Sequence, residues 1–150
     1  MPRTRPFDIM LVEDNPADVS IMREVMEDSR VWHRLIVQSN GEDAWRTLLA
    51  AKAGGGQLPD LILLDLNMPR MDGREFLTHL RADPVLKIIP VVVLTTSKAH
   101  TDVVRSYQLH ANAYITKPLD FQQFVDILHS IEDLWLDLVE LPTVPKVASR

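Results

Sequence analysis

Charged and hydroxyl residues stand where short apolar runs stop. Residues 61–73 read LILLDLNMPRMDG. Four large apolar residues, Leu61 to Leu64, run into Asp65, and the chain then turns through Asn67, Pro69, Asp72 and Gly73. An apolar run of this length bounded by turn residues reads as a strand buried on both faces. Near the start, FDIMLV (residues 7–12) runs in the same way into Glu13-Asp14. Two further apolar runs end in Thr95-Thr96-Ser97 and in Lys117-Pro118. Carboxylates are the groups that hold a hard cation, and a hydroxyl and an ammonium stabilise charge on an oxygen-rich substrate. They act together only if the elements that carry them end at one place.

The pattern along the chain makes that possible. Strands are expected at 7–12, 35–37, 61–65, 88–95 and 113–116. Helices are expected between them, at 16–29, 42–53, 73–81 and 98–109, with a long last one from Leu119 to about Leu141. Asn15 is a natural cap for the first, with Pro16 at its first position. Val19, Met22, Val25 and Met26 give it an apolar face. Gly54-Gly55-Gly56 ends the second helix and lacks the Lys-Ser/Thr that a phosphate-binding loop needs. Five strand–helix units imply an α/β fold with a five-stranded parallel sheet covered on both faces. The doubly wound order 2-1-3-4-5, the flavodoxin-like arrangement, fits right-handed crossovers.

Ligands bind such sheets at the carboxyl ends of the strands. In this order strands one and three are neighbours, so Glu13, Asp14 and Asp65 converge. At an effective dielectric of about 20, carboxylates about 5 Å apart repel by about 3 kcal/mol per pair. One lysine, Lys117, leaves about two negative charges to balance. Oxygen ligands and an open, hydrated site suit Mg2+ over zinc.

Composition narrows the classes. With 150 residues, 46% apolar and 25% charged, the chain is an ordinary globular one. A net charge of −5 with no basic run argues against nucleic acid as the main partner. There are no cysteines, which excludes disulfides and thiolate chemistry. No signal segment or membrane span is evident, so the expected location is the cytoplasm.

The pieces LVEDNPAD (11–18), LILLDLNMPRMDG (61–73), VVVLTTS (91–97) and AYITKPLD (113–120) together resemble the receiver domain of two-component response regulators, over about residues 7–135. The resemblance implies a role for each position. Asp65 looks like the residue that accepts a phosphoryl group from a histidine kinase. Glu13, Asp14, Asp65 and the backbone carbonyl of Asn67 would hold Mg2+. Thr95 and Lys117 would contact the phosphoryl group, Lys117 pairing with Asp65 beforehand. Thr95 and Tyr114 would form the switch, although Tyr114 also reads as a static edge packer. The Lys117–Pro118 bond is commonly cis in the family. His110 departs from the pattern, where many receivers have Gly before the fifth strand.

The tail narrows the resemblance. Leu134, Trp135, Leu136, Leu138, Val139 and Leu141 prolong the last helix beyond what the sheet needs, and an exposed apolar patch usually marks an interface. The chain resembles the small regulators that work with phytochrome-type histidine kinases, in which this region helps to form a homodimer. The expected division is an N-terminal tail (1–6), a receiver domain (7–132) and a dimerisation arm (133–150), with Leu134, Trp135 and Leu138 at the interface and no output domain. Such a protein is a phosphoacceptor rather than a turnover enzyme. A Mg2+-dependent phosphatase on a similar sheet is the rival reading, but residues 65–67 are Asp-Leu-Asn, and Asn cannot serve as general acid. A dimeric scaffold that is never phosphorylated is a second rival.

Overall fold

The computed structural model describes residues 5–29 and 32–138, the last three by backbone alone. The strands are β1 (Phe7–Val12), β2 (His33–Gln38), β3 (Leu61–Leu64), β4 (Val91–Thr95) and β5 (Ala113–Thr116). The helices are α1 (Pro16–Glu27), α2 (Gly41–Ala50), α3 (Gly73–Ala82), α4 (His100–Gln108) and α5 (Phe121–Ile131). All strands are parallel, in the order β2-β1-β3-β4-β5.

Alternate residues of each central strand serve opposite faces, as the pleat requires. Met10, Val12, Ile62, Leu64, Val91 and Val93 pack with Ala44 and Leu48 of α2 and with Phe76, Leu77 and Leu80 of α3. Ile9, Leu11, Leu61, Leu63, Val92 and Leu94 pack with Met22, Val25 and Met26 of α1 and with Phe124, Leu128 and Ile131 of α5. Burial on both sides explains why these strands are continuous apolar runs. Four helices start on side-chain caps. Asn15, Asn40, Asp72 and Asp120 accept backbone N–H bonds from the first turns of α1, α2, α3 and α5. Asp72 is therefore a cap.

Several boundaries differ from the expectation. Leu86–Ile88 is a 3₁₀ turn, and β4 begins only at Val91, after Pro90, which has no N–H to give. α2 runs on through a wide turn at Ala51–Gly55, where Gly54 takes φ 98°. α5 stops at Ile131, and the backbone continues as π-helical turns over Glu132–Leu138. No peptide bond is cis among the described residues, so the cis expectation for Lys117–Pro118 does not hold here. His110 adopts φ 59°, the conformation that Gly takes most easily. Trp45 packs edge-on to Phe76, whereas Trp32 is 61% exposed.

In the tail, Trp135 is partly buried against the α1/α5 face of the core. Leu134 remains exposed. The side chain of Leu138 and all of 139–150 lie outside the described residues. No helix among the described residues is long and apolar enough to cross a membrane.

Candidate functional site

Register brings the strand ends together. Val12 lies beside Leu64, so the next residues of β1 and β3, Glu13 and Asp65, leave the sheet side by side. Thr95 pairs with Thr116, which puts Lys117 one residue beyond the end of β4. Backbone bonds continue past the strands, from Asp65 N to Val12 O (3.0 Å) and from Lys117 N to Thr95 O (2.7 Å). The acidic and basic side chains are thereby held by the sheet's own ladder.

Glu13, Asp14 and Asp65 each place a carboxylate oxygen within 4.8 Å of the other two. Glu13 and Asp65 are buried, whereas Asp14 is exposed. Such a set of oxygen donors, part buried and part open to water, fits a hard divalent cation. Burial raises the Glu13 carboxyl above its usual range; Asp65 adds to this and the bond from Lys117 opposes it.

The Lys117 ammonium is buried among carboxylates. It donates to Glu13 and, at 2.8 Å, to Asp18, and it lies 3.6 Å from Asp65 Oδ2. Its ionisation reflects opposing causes. Burial lowers its pKa, and the bonds to Asp18 and Glu13 more than offset that, raising it overall. The expected Lys117–Asp65 pair is thus present at longer range, with Glu13 and Asp18 as the close partners. Asp18 was not singled out from the sequence. Its signal lay in its position, an acid in the first turn of a helix that starts at the carboxyl edge of the sheet.

Thr95 is fully buried at the end of β4. Its Oγ1 is 3.5 Å from Asn67 Nδ2 and accepts from Ser97 N at 3.4 Å. Asn67 N donates to Asp65 Oδ1 at 3.3 Å. The loop that follows Asp65 is held tightly. Gly73 N bonds Leu66 O at 3.0 Å, and a Cβ on Gly73 would stand 2.2 Å from Asp65 O. At the loop's far side Arg70 and Met71 both take positive φ, and their carbonyls accept from Glu42 N and Gly41 N at the start of α2. A Cβ on Gly41 would meet Met71 O at 2.1 Å, so only glycine allows the approach. Tyr114 is partly buried, and its hydroxyl donates to Ser97 O at 3.0 Å. Its pKa is raised, chiefly by burial.

A five-stranded sheet with carboxylates, a hydroxyl and a lysine at adjacent strand ends defines a signal-receiving domain. The chain belongs to the response regulator receiver domain family, whose match covers residues 9–129. It is 44% identical over 138 residues to the response regulator Rcp1 of Synechocystis sp., spanning 91% of this chain and 94% of that one. It is 38% identical over 131 residues to the probable methanogenesis regulatory protein FilR2 of Methanothrix harundinacea, spanning 87% and 84%. Among solved structures, the Mn2+-bound form of Rcp1 superposes with a TM-score of 0.88 at 43% identity, covering 92% of this chain and all of that one. The phosphorylated cyanobacterial phytochrome response regulator RcpA superposes with a TM-score of 0.87 at 43% identity, covering 92% and 99%. The protein is a two-component signalling protein, homologous to phytochrome response regulators.

Proposed function

We propose that Asp65 is the phosphoryl acceptor and that a histidine kinase, of the phytochrome type, is the donor. The observation that carries this reading is the convergence of Glu13, Asp14 and Asp65 with Lys117. An Asp65 carboxylate oxygen bonds to phosphorus as the donor's phosphorus–nitrogen bond breaks, and the imidazole leaves. Glu13, Asp14, Asp65 and the carbonyl of Asn67 would hold Mg2+, which would supply charge neutralisation on the phosphoryl oxygens. Lys117 supplies a fixed positive charge, and its tethers to Glu13 and Asp18 keep it beside the acceptor. The Thr95 hydroxyl stands ready to bond a phosphoryl oxygen. Such transfers need positioning and charge stabilisation more than covalent help.

In this reading the output is conformational. Thr95 moves toward the phosphoryl group and Tyr114 repacks, shifting the balance between two arrangements of one surface. The protein works in the cytoplasm, without nucleic acid or membrane. It forms a homodimer to which the region from residue 133 onward contributes, with exposed Leu134 available for contact. Incubation with Mg2+ and acetyl phosphate tests the reading. Wild type is expected to gain one phosphate by intact mass and Asp65→Asn none. Solution molecular weight, read on the same samples, tests the dimer. A wild type that never gains phosphate would sink the acceptor reading.

A further inference from the structure

The loop after Asp65 is docked at its far end on α2, a helix that gives no side chain to the carboxylate cluster. The first turn of any helix has N–H groups with no partner inside it. In α2, Asp43 N donates to Asn40 Oδ1 at 2.8 Å. Gly41 N and Glu42 N go to the loop instead, donating to Met71 O and Arg70 O, both at 3.0 Å. Arg70 and Met71 take φ 53° and 67°, a left-handed pair whose carbonyls both face α2. Gly41 lies outside the left-handed region, so glycine is needed there for space rather than for backbone freedom. An added Cβ would stand 2.1 Å from Met71 O and 3.2 Å from Met71 Cγ. The Arg70 guanidinium also lies 3.6 Å from Glu42 and 3.5 Å from Asp43, but its side chain is 56% exposed, and such pairs contribute little. The docking is therefore made by backbone.

We propose that Gly41 is a positioning residue for the Mg2+ site: by admitting Met71 O to the start of α2, it sets where the carbonyl of Asn67 stands. The inference rests on the reading in which Asp65 and Asn67 hold Mg2+. The loop is a closed ring. Gly73 N donates to Leu66 O at 3.0 Å at its base, and Pro69 stiffens the segment between. Asn67 is tied only by long contacts, from its N to Asp65 Oδ1 at 3.3 Å, from its Nδ2 to Thr95 Oγ1 at 3.5 Å and from Arg74 to its Oδ1 at 3.4 Å. Contacts of that length are weak. A backbone carbonyl has no rotamer of its own, so the path of the ring decides its place. Helix α2 has little room to retreat, because Ala44 and Leu48 are fully buried against the sheet and α3. A side chain at residue 41 therefore displaces the loop rather than the helix, and the displacement is carried round the ring to Asn67.

The test compares the full wild-type chain with Gly41→Ala, Arg70→Val, Arg70→Gly and Leu48→Ala. The readouts are Mg2+ affinity by calorimetry, amide hydrogen exchange over residues 66–73, and phosphate uptake from acetyl phosphate as Mg2+ is varied. Gly41→Ala is expected to bind Mg2+ roughly tenfold more weakly, the scale of losing a group that orients a ligand. Exchange over 66–73 quickens, and uptake falls at limiting Mg2+ but recovers as Mg2+ saturates. Arg70→Val, whose branched side chain resists a positive φ, moves in the same direction by a smaller factor and decides the matter if Gly41→Ala does not fold. Arg70→Gly loses the guanidinium but favours the same turn, and stays near wild type. Leu48→Ala destabilises the packing of α2 and leaves Mg2+ affinity unchanged, which separates positioning from a general loss of stability. Unchanged Mg2+ affinity in folded Gly41→Ala and Arg70→Val, or an equal drop in Leu48→Ala, would overturn the inference. A wild type that binds no Mg2+ overturns it together with the metal reading. A wild type that binds Mg2+ but takes up no phosphate removes the acceptor reading alone, and the affinities still decide the role of Gly41.

Discussion

Replacing Asp65 by Asn removes one negative charge from the cluster and leaves the shape almost unchanged. Its effect on stability follows from distances. At the outer limit of their separation, 4.8 Å, the Glu13–Asp65 repulsion is at least about 3.5 kcal/mol with an effective dielectric of about 20. The Asp14–Asp65 repulsion, within the same limit, is roughly half that because water screens the exposed Asp14. Attraction between Asp65 and Lys117 at 3.6 Å is about 4.6 kcal/mol on the same scale. The gains and losses nearly cancel, and relief of the desolvation of the buried Asp65 carboxylate tips the balance toward the variant. With metal chelated, Asp65→Asn is expected to be more stable than wild type by about 1 kcal/mol, a rise in Tm of about 2–4 °C for a chain of this size. Mg2+ at about 100 times its Kd adds about 2.7 kcal/mol to wild type. It adds less to the variant, which has one ligand fewer, so the variant's lead is lost. Urea unfolding in EDTA and in Mg2+ measures both. A variant less stable than wild type in EDTA, or an equal Mg2+ effect on the two proteins, would refute the reasoning.

Three further outcomes follow from the same geometry. Lys117→Met leaves Glu13, Asp18 and Asp65 without their shared cation and is expected to cost about 3 kcal/mol in EDTA, partly recovered by Mg2+, as read by urea unfolding. Gly41→Ala forces a Cβ against Met71 O and is expected to cost about 2–4 kcal/mol by the same measurement. Glu132 is buried at the α5 boundary with its Oε2 unbonded among the described residues, and its pKa is raised, first by burial and against the pull of Ser29. Its protonated form is favoured in the fold, so wild-type stability falls as pH rises from the unfolded carboxyl value through the raised folded one. Glu132→Gln is therefore expected to be more stable than wild type by about 1 kcal/mol near pH 7, with the gain gone below about pH 4, as seen in thermal melts across pH.

The sequence by itself determined the sheet and which side chains meet at its carboxyl edge. Runs such as LILL and VVVLT are apolar throughout because both faces of a parallel sheet are covered, and such runs end where the sheet ends. The residues just after them, Glu13, Asp14, Asp65, Thr95 and Lys117, were therefore legible as neighbours once the strand order was inferred. Boundaries were less legible. Pro90 and the 3₁₀ turn shortened β4, and α5 passes into π-helical turns after Ile131, because local propensity says little about where a helix changes its winding. Only the tertiary structure decided how the charges pair. Lys117 sits closer to Glu13 and Asp18 than to Asp65, and Arg74 spans from one loop to Asp102 on another helix. Side chains separated by tens of residues choose partners by the directions in which packed helices aim them. Spacing along the chain does not carry that information, since it is set by crossing angles and side-chain reach across the folded surface.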